Sequence, residues 1–436
     1  MNTMPLQYAG TGAHVASYYA ASSNPVSMRP ALKEDMQFDV CVVGAGYTGL
    51  STALHLAEQG HNVAILEGAR IGWGASGRNG GQIVNGLNAS LQTIERRYDR
   101  DTANFVANLV MEGGDIIRER VKTYGIECDL KPTNVLAGYT DAHLRALDAR
   151  LHLWEHHGIQ TQEMLSRDEL RDYVGSDVYA GGLIDHAGGH MHPLNFALGE
   201  AAAFEQNGGT IFEQSMVIKI DDGVEKPVVQ TQMGSITCKT LVLCGNAYLG
   251  KVVPTLATRV MPVSTQIMAT EPLDDDVAAR LLPTDSCIED TRFILDYFRM
   301  SADKRLLFGG GTVYGGTDPK NIELKLRRNM EKVFPELQTT RIEYAWSGNF
   351  ALSFSRVPQM GRLNKNVYFA HGYSGHGVTG SQTFGRILSE AITGDIGRFD
   401  VFEKMSWTPF PGGHMFRVPY SMMGSWYYGF KDRFGF

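Results

Sequence analysis

The chain has 436 residues, enough to bury a large core and to form two or three domains. A net charge of -7 without a basic tract argues against a nucleic acid as partner, and no apolar stretch is long enough to span a bilayer. The first charged residue is Arg29, too late for a signal peptide, and five cysteines without CxxC spacing favour a reduced, cytoplasmic location.

A dinucleotide-binding fingerprint follows an irregular, Ser- and Pro-rich arm at residues 1–37. An apolar strand at residues 40–43 leads into three closely spaced glycines, a helical pattern and a second strand at residues 63–66, which is followed by an acid. The first glycine makes a tight turn, the second admits a pyrophosphate, and the third lets the helix pack on the strand. The helix N-terminus attracts phosphate, and the acid accepts hydrogen bonds from a ribose. The residues predicted to contact the dinucleotide here are Gly44, Ala45, Gly46, Tyr47, Thr48, Gly49 and Glu67.

A second glycine-rich loop occupies residues 68–82. An NAD-dependent dehydrogenase needs no such loop after its second strand, whereas a larger dinucleotide must lay its second half along backbone close to the first unit. The loop therefore favours FAD. Its predicted contacts are Gly68, Arg70, Gly74, Ala75, Ser76, Arg78, Asn79, Gly80, Gly81 and Gln82.

The middle of the chain mixes helical and strand-like segments. Helical periodicity covers residues 91–130 and 141–172, where Ser166 and Glu169 form a predicted capping box, and another helix is expected from Pro193. Three histidines precede that helix: His186, His190 and His192. A turn is the preferred interpretation and no metal is expected, because cysteine partners and a catalytic glutamate in a motif are missing. Further along, strand-like residues 292–300 and 305–309 predict a hairpin.

A third glycine-rich loop, residues 371–380, leads from a strand into a helix. We expect the N-terminus of that helix to face the pyrimidine edge of a flavin and to stabilise negative charge on the reduced ring. His376 either polarises the ring or senses its charge, or is present for its backbone position alone. The contacts predicted here are Tyr373, Ser374, Gly375, His376, Gly377, Val378 and Thr379, joined by Val217, Gly245, Asn246 and Gly348 from other segments.

These loops resemble those of the D-amino-acid oxidase superfamily of FAD-dependent amine oxidases, in the branch with the sarcosine and glycine oxidases. The likeness runs essentially end to end and is carried by residues 17–22, 74–82, 185–190, 245–249, 372–377 and 410–413. It implies FAD, a small-molecule amine substrate and molecular oxygen, with oxidation of the primary amine of a gamma-glutamyl-polyamine and release of hydrogen peroxide. The alternatives are the same chemistry on another amine or amino acid, or a flavoprotein without turnover. The oligomeric state stays open between monomer and homodimer.

The resemblance also implies an α/β fold, in which a Rossmann-like FAD-binding domain is interleaved with an α+β substrate domain built on a mostly antiparallel sheet. The FAD-binding domain is assigned to residues 38–95, 186–255 and 345–400, and the substrate domain to residues 96–185 and 256–344. The aromatic tail, residues 401–436, is expected to pack on the FAD-binding domain.

Four residues are candidates for the chemistry. Tyr297 and Arg299 share one face of a strand, where a ring and a guanidinium suit a glutamylated polyamine beside the flavin. They fit a core tyrosine and a surface arginine equally well. Trp346 is a candidate wall of an amine channel, although aromatics near glycines more often serve packing. His376 completes the set.

The chain departs from the sarcosine-type relatives at three points. Residues 346–361, where several of them attach the flavin through a cysteine, contain no cysteine. A lysine of those relatives is replaced by Thr379, and a second one falls near Leu307. Both replacements fit a substrate whose reacting amine lies far from its carboxylate.

The missing cysteine predicts non-covalent FAD. Precipitation of the purified protein with acid should release the yellow flavin into the supernatant. Colour that stays in the pellet would contradict this prediction.

Overall fold

The computed structural model describes residues 12–223, 225–411, 413 and 416–423. The helices are α1 (Tyr18–Ala21), α2 (Tyr47–Glu58), α3 (Leu91–Arg97), α4 (Arg100–Tyr124), α5 (Asp141–His156), α6 (Arg167–Leu170), α7 (Pro193–Gln206), α8 (Pro254–Ala257), α9 (Asp275–Leu281), α10 (Ile322–Val333), α11 (Gly377–Thr393) and α12 (Gly397–Lys404). The strands are β1 (Met36–Val43), β2 (Val63–Leu66), β3 (Gln82–Ile83), β4 (Lys131–Gly138), β5 (Gln162–Ser166), β6 (Gly181–His190), β7 (Thr210–Phe212), β8 (Lys219–Asp221), β9 (Val228–Gln230), β10 (Ser235–Leu243), β11 (Val260–Thr270), β12 (Cys287–Asp290), β13 (Asp296–Met300), β14 (Leu306–Tyr314), β15 (Ile342–Ser353), β16 (Gln359–Asn364) and β17 (Val367–His371).

The first sheet has the order β16-β17-β10-β1-β2-β7, and all neighbours from β17 to β7 are parallel. Its central strand β1 is buried on both faces. Val40 and Val42 enter one hydrophobic core with α2, while Cys41 and Val43 enter another. This explains why the strand appears in the sequence as an uninterrupted apolar run. Helices α2, α7 and α11 pack together over this sheet.

The second sheet has the order β15-β11-β14-β13-β12-β4-β6-β3, with β5 beside β6. Within the described residues, its neighbouring strands pair antiparallel except for β12 and β4. The predicted fold class is therefore confirmed: a Rossmann-like sheet is interleaved with a mostly antiparallel one.

The residue boundaries of the two domains stay a prediction, and the strands show where they are too coarse. Strand β3 and most of β15 lie in segments assigned to the FAD-binding domain but pair within the second sheet. Helix α4, assigned to the substrate domain, packs against α11. Of the arm and the aromatic tail, residues 1–11 and most of the chain after residue 411 lie outside the described residues.

Several local predictions are confirmed. The Ser166 hydroxyl accepts the Glu169 N–H and the Glu169 carboxylate accepts the Ser166 N–H, as a capping box requires. Helix α7 begins at Pro193, and β13 and β14 form the expected hairpin. The His192 ring accepts the Asn195 N–H and so caps α7, which agrees with the turn preferred for the histidine cluster.

Candidate active site

A cavity of about 670 Å³ is lined by elements of both sheets. The three glycine-rich loops predicted from the sequence all reach it: one after β1, one after β2 and one at the start of α11. Strands β12, β13 and β14 of the second sheet close the other side. The fold thus brings the predicted loops to one site, although they are far apart in the chain.

The loop after β1 has the geometry of a phosphate-binding turn. Gly44 adopts a φ of +105°, a conformation that favours glycine. A Cβ on Gly49 would lie 1.9 Å from the Gly44 carbonyl oxygen, so only glycine lets α2 approach the turn. Gly46 caps α2 without a side-chain hydrogen bond, and the helix N-terminus opens on the cavity. The backbone N–H groups there suit a pyrophosphate.

Glu67 lies on the cavity wall at the end of β2. Its Oε2 accepts the Ala45 N–H and its Oε1 accepts the Ala69 N–H, both at 2.8 Å. Burial raises the pKa of the Glu67 carboxyl to about 6, and the two N–H groups oppose this shift because they favour the ionised form. Both oxygens are thereby held in place, and the carboxylate presents a fixed acceptor for a ribose.

Arg78 anchors the second loop. Its guanidinium lies 4.2 Å from the centre of the Trp73 ring, and its Nε donates to the Trp73 carbonyl oxygen at 2.7 Å. The side chain is buried, and its Nη2 has no hydrogen-bond partner within the described part of the chain. A buried guanidinium with an unsatisfied donor on a cavity wall calls for an electron-rich ligand group.

The third loop places the N-terminus of α11 on the cavity. Gly375, His376, Gly377 and Val378 line it, and the Tyr373 hydroxyl is 2.8 Å from Thr48 Oγ1 at the start of α2. His376 is the N-cap residue, but its side chain does not cap the helix. Its buried Nδ1 lacks a partner among the described residues, and burial lowers its pKa to about 4, so the imidazole is neutral at pH 7.

The candidates on the second sheet separate into two groups. Tyr297 lines the cavity, whereas Arg299 and Trp346 lie behind the loop. Arg299 is 2% exposed, so the surface alternative is wrong for this residue; its Nε donates to the Gly80 carbonyl oxygen at 2.7 Å. The Trp346 indole N–H donates to the Arg78 carbonyl oxygen at 3.0 Å. Both side chains hold residues 78–80 in place.

The predicted cofactor contacts line the cavity, except for Ala45, Gly49, Arg70, Gly81 and Thr379. The exceptions support the wall from behind. Ala45 holds Glu67, Arg70 pairs with Glu213 at 2.9 Å, and the Thr379 hydroxyl donates to the Val84 carbonyl oxygen at 2.9 Å.

Sequence reasoning missed much of the wall that the second sheet supplies. Lining residues it did not single out include Thr265, Glu289, Phe293, Leu295, Thr312 and Asn349. The sequence carried one usable signal: Glu289 and Asp290 follow Cys287 and Ile288 in a short strand whose four residues are all buried, where a carboxylate needs a reason.

The histidines before α7 have structural partners. His190 Nε2 is 2.7 Å from the Asp285 carbonyl oxygen, and His192 caps α7. Across the described residues, no group of three or more His, Cys, Asp or Glu side chains is arranged to hold a metal ion.

A Rossmann-like sheet whose glycine loops converge with a mostly antiparallel sheet on one cavity defines a flavin-dependent oxidoreductase. A family model described as FAD dependent oxidoreductase (DAO) matches residues 39–391. The chain belongs to this family, and FAD is its cofactor. The unpartnered Arg78 and His376 nitrogens, the α2 N-terminus and Glu67 together fit such a ligand.

Curated relatives match over nearly the whole chain. Gamma-glutamylputrescine oxidoreductase of Escherichia coli (strain K12) is 48% identical over 97% of this chain and 99% of that protein. Probable oxidoreductase OrdL of Haemophilus influenzae is 39% identical over 97% of this chain and 98% of that protein. The crystal structure of glycine oxidase from Geobacillus kaustophilus superposes with a TM-score of 0.69 at 18% identity, covering 85% of this chain and 96% of that one, which shows a shared fold.

Glu67→Gln should weaken FAD binding. An amide cannot accept both N–H groups, so its NH2 would face the N–H of Ala45 or Ala69. The substitution also removes the charge-assisted hydrogen bond that the ribose of FAD is expected to donate to Glu67. That loss costs about 1.5–3 kcal/mol, so the Kd for FAD should rise by about 10- to 100-fold in a titration of the apoprotein.

The matched control is Glu213→Gln. Glu213 is also a buried carboxylate that accepts a backbone N–H, from Ile71 at 2.9 Å, but it does not line the cavity. This variant should lower the melting temperature without a comparable change in Kd. Saturating FAD should restore turnover of Glu67→Gln, and its failure to do so would show that Glu67 has another role.

Proposed function

We propose that this protein oxidises the terminal primary amine of gamma-glutamylputrescine, or of a closely related gamma-glutamyl-polyamine. The observation that carries the proposal is 48% identity, over almost the full length of both chains, to the E. coli gamma-glutamylputrescine oxidoreductase. The resemblance implies that sarcosine-type relatives carry one lysine where this chain has Thr379 and a second one near Leu307. Both Thr379 and Leu307 are buried. An amine without a neighbouring carboxylate suits this cavity better than an amino acid does.

When bound, FAD supplies the redox chemistry: it takes a hydride from the carbon that bears the amine, with molecular oxygen as the proposed final acceptor and hydrogen peroxide as the by-product. The resulting imine is hydrolysed by water to an aldehyde and ammonia. The chain's own contribution is to bind, to orient and to control charge.

The residues divide this work by position. Glu67 and the N-terminus of α2 both line the cavity and would hold the adenosine and pyrophosphate part of the cofactor. The N-terminus of α11 directs backbone N–H groups and a partial positive charge into the cavity, which stabilises negative charge there. His376, neutral at pH 7, offers a hydrogen-bonding nitrogen rather than a positive charge.

Among the residues predicted to take part in the chemistry on the second sheet, Tyr297 lines the cavity. We therefore propose that it contacts the substrate. Arg299 and Trp346 are better described as positioning residues, because they bind the backbone of the second loop. Their substitution is expected to loosen the cofactor site rather than to remove a reacting group.

We place the reaction in the cytoplasm, because the five cysteines are free and buried. No helix in the described ranges combines the length and the apolar character that a bilayer span requires.

The function is tested by anaerobic addition of amines to the holoenzyme, followed by a peroxide assay in air. Gamma-glutamylputrescine should bleach the flavin at a far lower concentration than putrescine, sarcosine or glycine. Preferential bleaching by sarcosine or glycine would favour an amino acid oxidase, and the absence of bleaching by every amine would indicate a flavoprotein without turnover.

The rate of anaerobic flavin reduction should rise with pH. Hydride transfer needs a neutral amine, and a primary alkylammonium resembles lysine, whose pKa is about 10.4. His376 cannot cause the rise, because its pKa of about 4 leaves the imidazole neutral at pH 7 and above. His376→Asn should therefore keep the same profile, and a pH-independent rate in the wild-type enzyme would contradict the mechanism.

Gly377→Pro should slow flavin reduction about tenfold or more, because it removes one N–H donor from the cavity. Gly377 is the first residue of α11, where proline is well tolerated, so the helix should form. Gly377→Ala is the matched control that keeps the N–H group; its Cβ would lie 3.3 Å from the Tyr373 Cβ, a tight contact. Equal rates in the two variants would show that this N–H group does not act on the reaction.

A further inference from the structure

Glu289 is a buried carboxylate on the substrate side of the cavity. It lies in β12, pairs across the ladder with Tyr297 in β13, and is 9% exposed. Both residues line the same cavity. None of the roles assigned so far uses it.

The charge of Glu289 is poorly compensated. The Asn134 side-chain amide donates to Oε1 at 3.3 Å, and this is its one hydrogen bond among the described residues. Asp290, the next residue in the strand, is by contrast paired with Arg292 at 2.5 Å. Arg150 exerts a favourable electrostatic effect on Glu289, but the two groups form no ion pair. A buried carboxylate without a close cation is costly, so the site favours a ligand that brings one.

We propose that Glu289 receives the amino end of the substrate and selects for amines that carry no neighbouring carboxylate. This rests on the proposed function, since it names the group that recognises the reacting end. Phe293, Ile294 and Leu295 line the same wall and suit the methylene chain that follows the amine. The carboxylate of glycine or sarcosine, two bonds from its nitrogen, would meet Glu289 with like charge.

Glu289 also relates to the protonation state that the reaction needs. Transfer of one proton from the bound ammonium to the carboxylate gives a neutral amine and a neutral acid. Burial raises the pKa of the Glu289 carboxyl, and the nearby Arg150 opposes this shift to a smaller extent. The state with neutral amine and neutral acid is therefore closer in energy to the state with ammonium and carboxylate than it would be in water.

The test compares two ligands of the same shape in the holoenzyme. Gamma-glutamylputrescine carries the amine, and N5-butylglutamine replaces it with a hydrogen atom. Affinities come from the substrate dependence of anaerobic flavin reduction and from competitive inhibition by the analogue. Glu289→Gln keeps the acceptor for Asn134 and should weaken gamma-glutamylputrescine about 10- to 100-fold, while the affinity for N5-butylglutamine stays nearly constant.

Asp290→Asn is the matched control, because this carboxylate belongs to the same strand but pairs with Arg292. It should lower thermal stability and leave the ratio of the two affinities unchanged. Equal weakening of both ligands by Glu289→Gln, or no change in either, would overturn the proposal.

Failure of the proposed function is recognised separately, since the wild-type flavin would then not be bleached by gamma-glutamylputrescine. The two ligands can in that case be compared through the perturbation of the flavin spectrum. The quantity compared is the affinity for gamma-glutamylputrescine divided by the affinity for N5-butylglutamine. If Glu289→Gln leaves this ratio unchanged, the role of Glu289 is overturned, and if the ratio falls towards one, the role is supported.

Discussion

Close approach between the loop of residues 74–82 and the second sheet is the constraint on which the cavity depends. The Tyr297 ring lies against two glycines: a Cβ would come within 2.7 Å of it on Gly80 and within 2.2 Å on Gly309. A side chain at Gly80 would displace the ring or push the loop away from the second sheet, and one at Gly309 would displace the ring. Arg299, two residues along β13, then fixes the loop through the Gly80 carbonyl oxygen and reaches the Tyr19 hydroxyl of the N-terminal arm at 3.1 Å. The loop of residues 74–82, β13 and the N-terminal arm are therefore packed as one unit, which makes this wall of the cavity rigid.

The charges around the cavity follow from this arrangement. On the first sheet, the N-termini of α2 and α11 and the Arg78 guanidinium all present hydrogen-bond donors, which suit an electron-rich, anionic cofactor. On the second sheet, Glu289 presents a carboxylate with little compensation. The two sides are thus matched to ligands of opposite charge.

The parts of the site that the sequence predicts are local in the chain. The fingerprint from β1 to Glu67 works through consecutive residues, so spacing alone identifies it, and the same holds for the turn before α11. The roles of Arg299 and Trp346 are different, since a strand pattern shows that residues share a face but not which object that face meets. Glu289 was missed for a related reason. Its importance depends on Asn134 and Tyr297 in neighbouring strands, and on the lack of an ion-pair partner among the described residues, which only the assembled wall reveals.

Thr379, Leu307 and Glu289 all disfavour a substrate whose carboxylate lies next to the reacting amine. Thr379 stands where the resemblance to sarcosine-type relatives implies a lysine. Its hydroxyl donates to the Val84 carbonyl oxygen and its backbone packs against Gly113 in α4, so it offers no charge to the cavity. Leu307 is likewise buried in the core. In the proposed site, Thr379 and Leu307 therefore offer no charge to an α-carboxylate, and Glu289 would repel one. A fold shared with a glycine oxidase is thereby adapted, in the proposed site, to an amine without a neighbouring carboxylate.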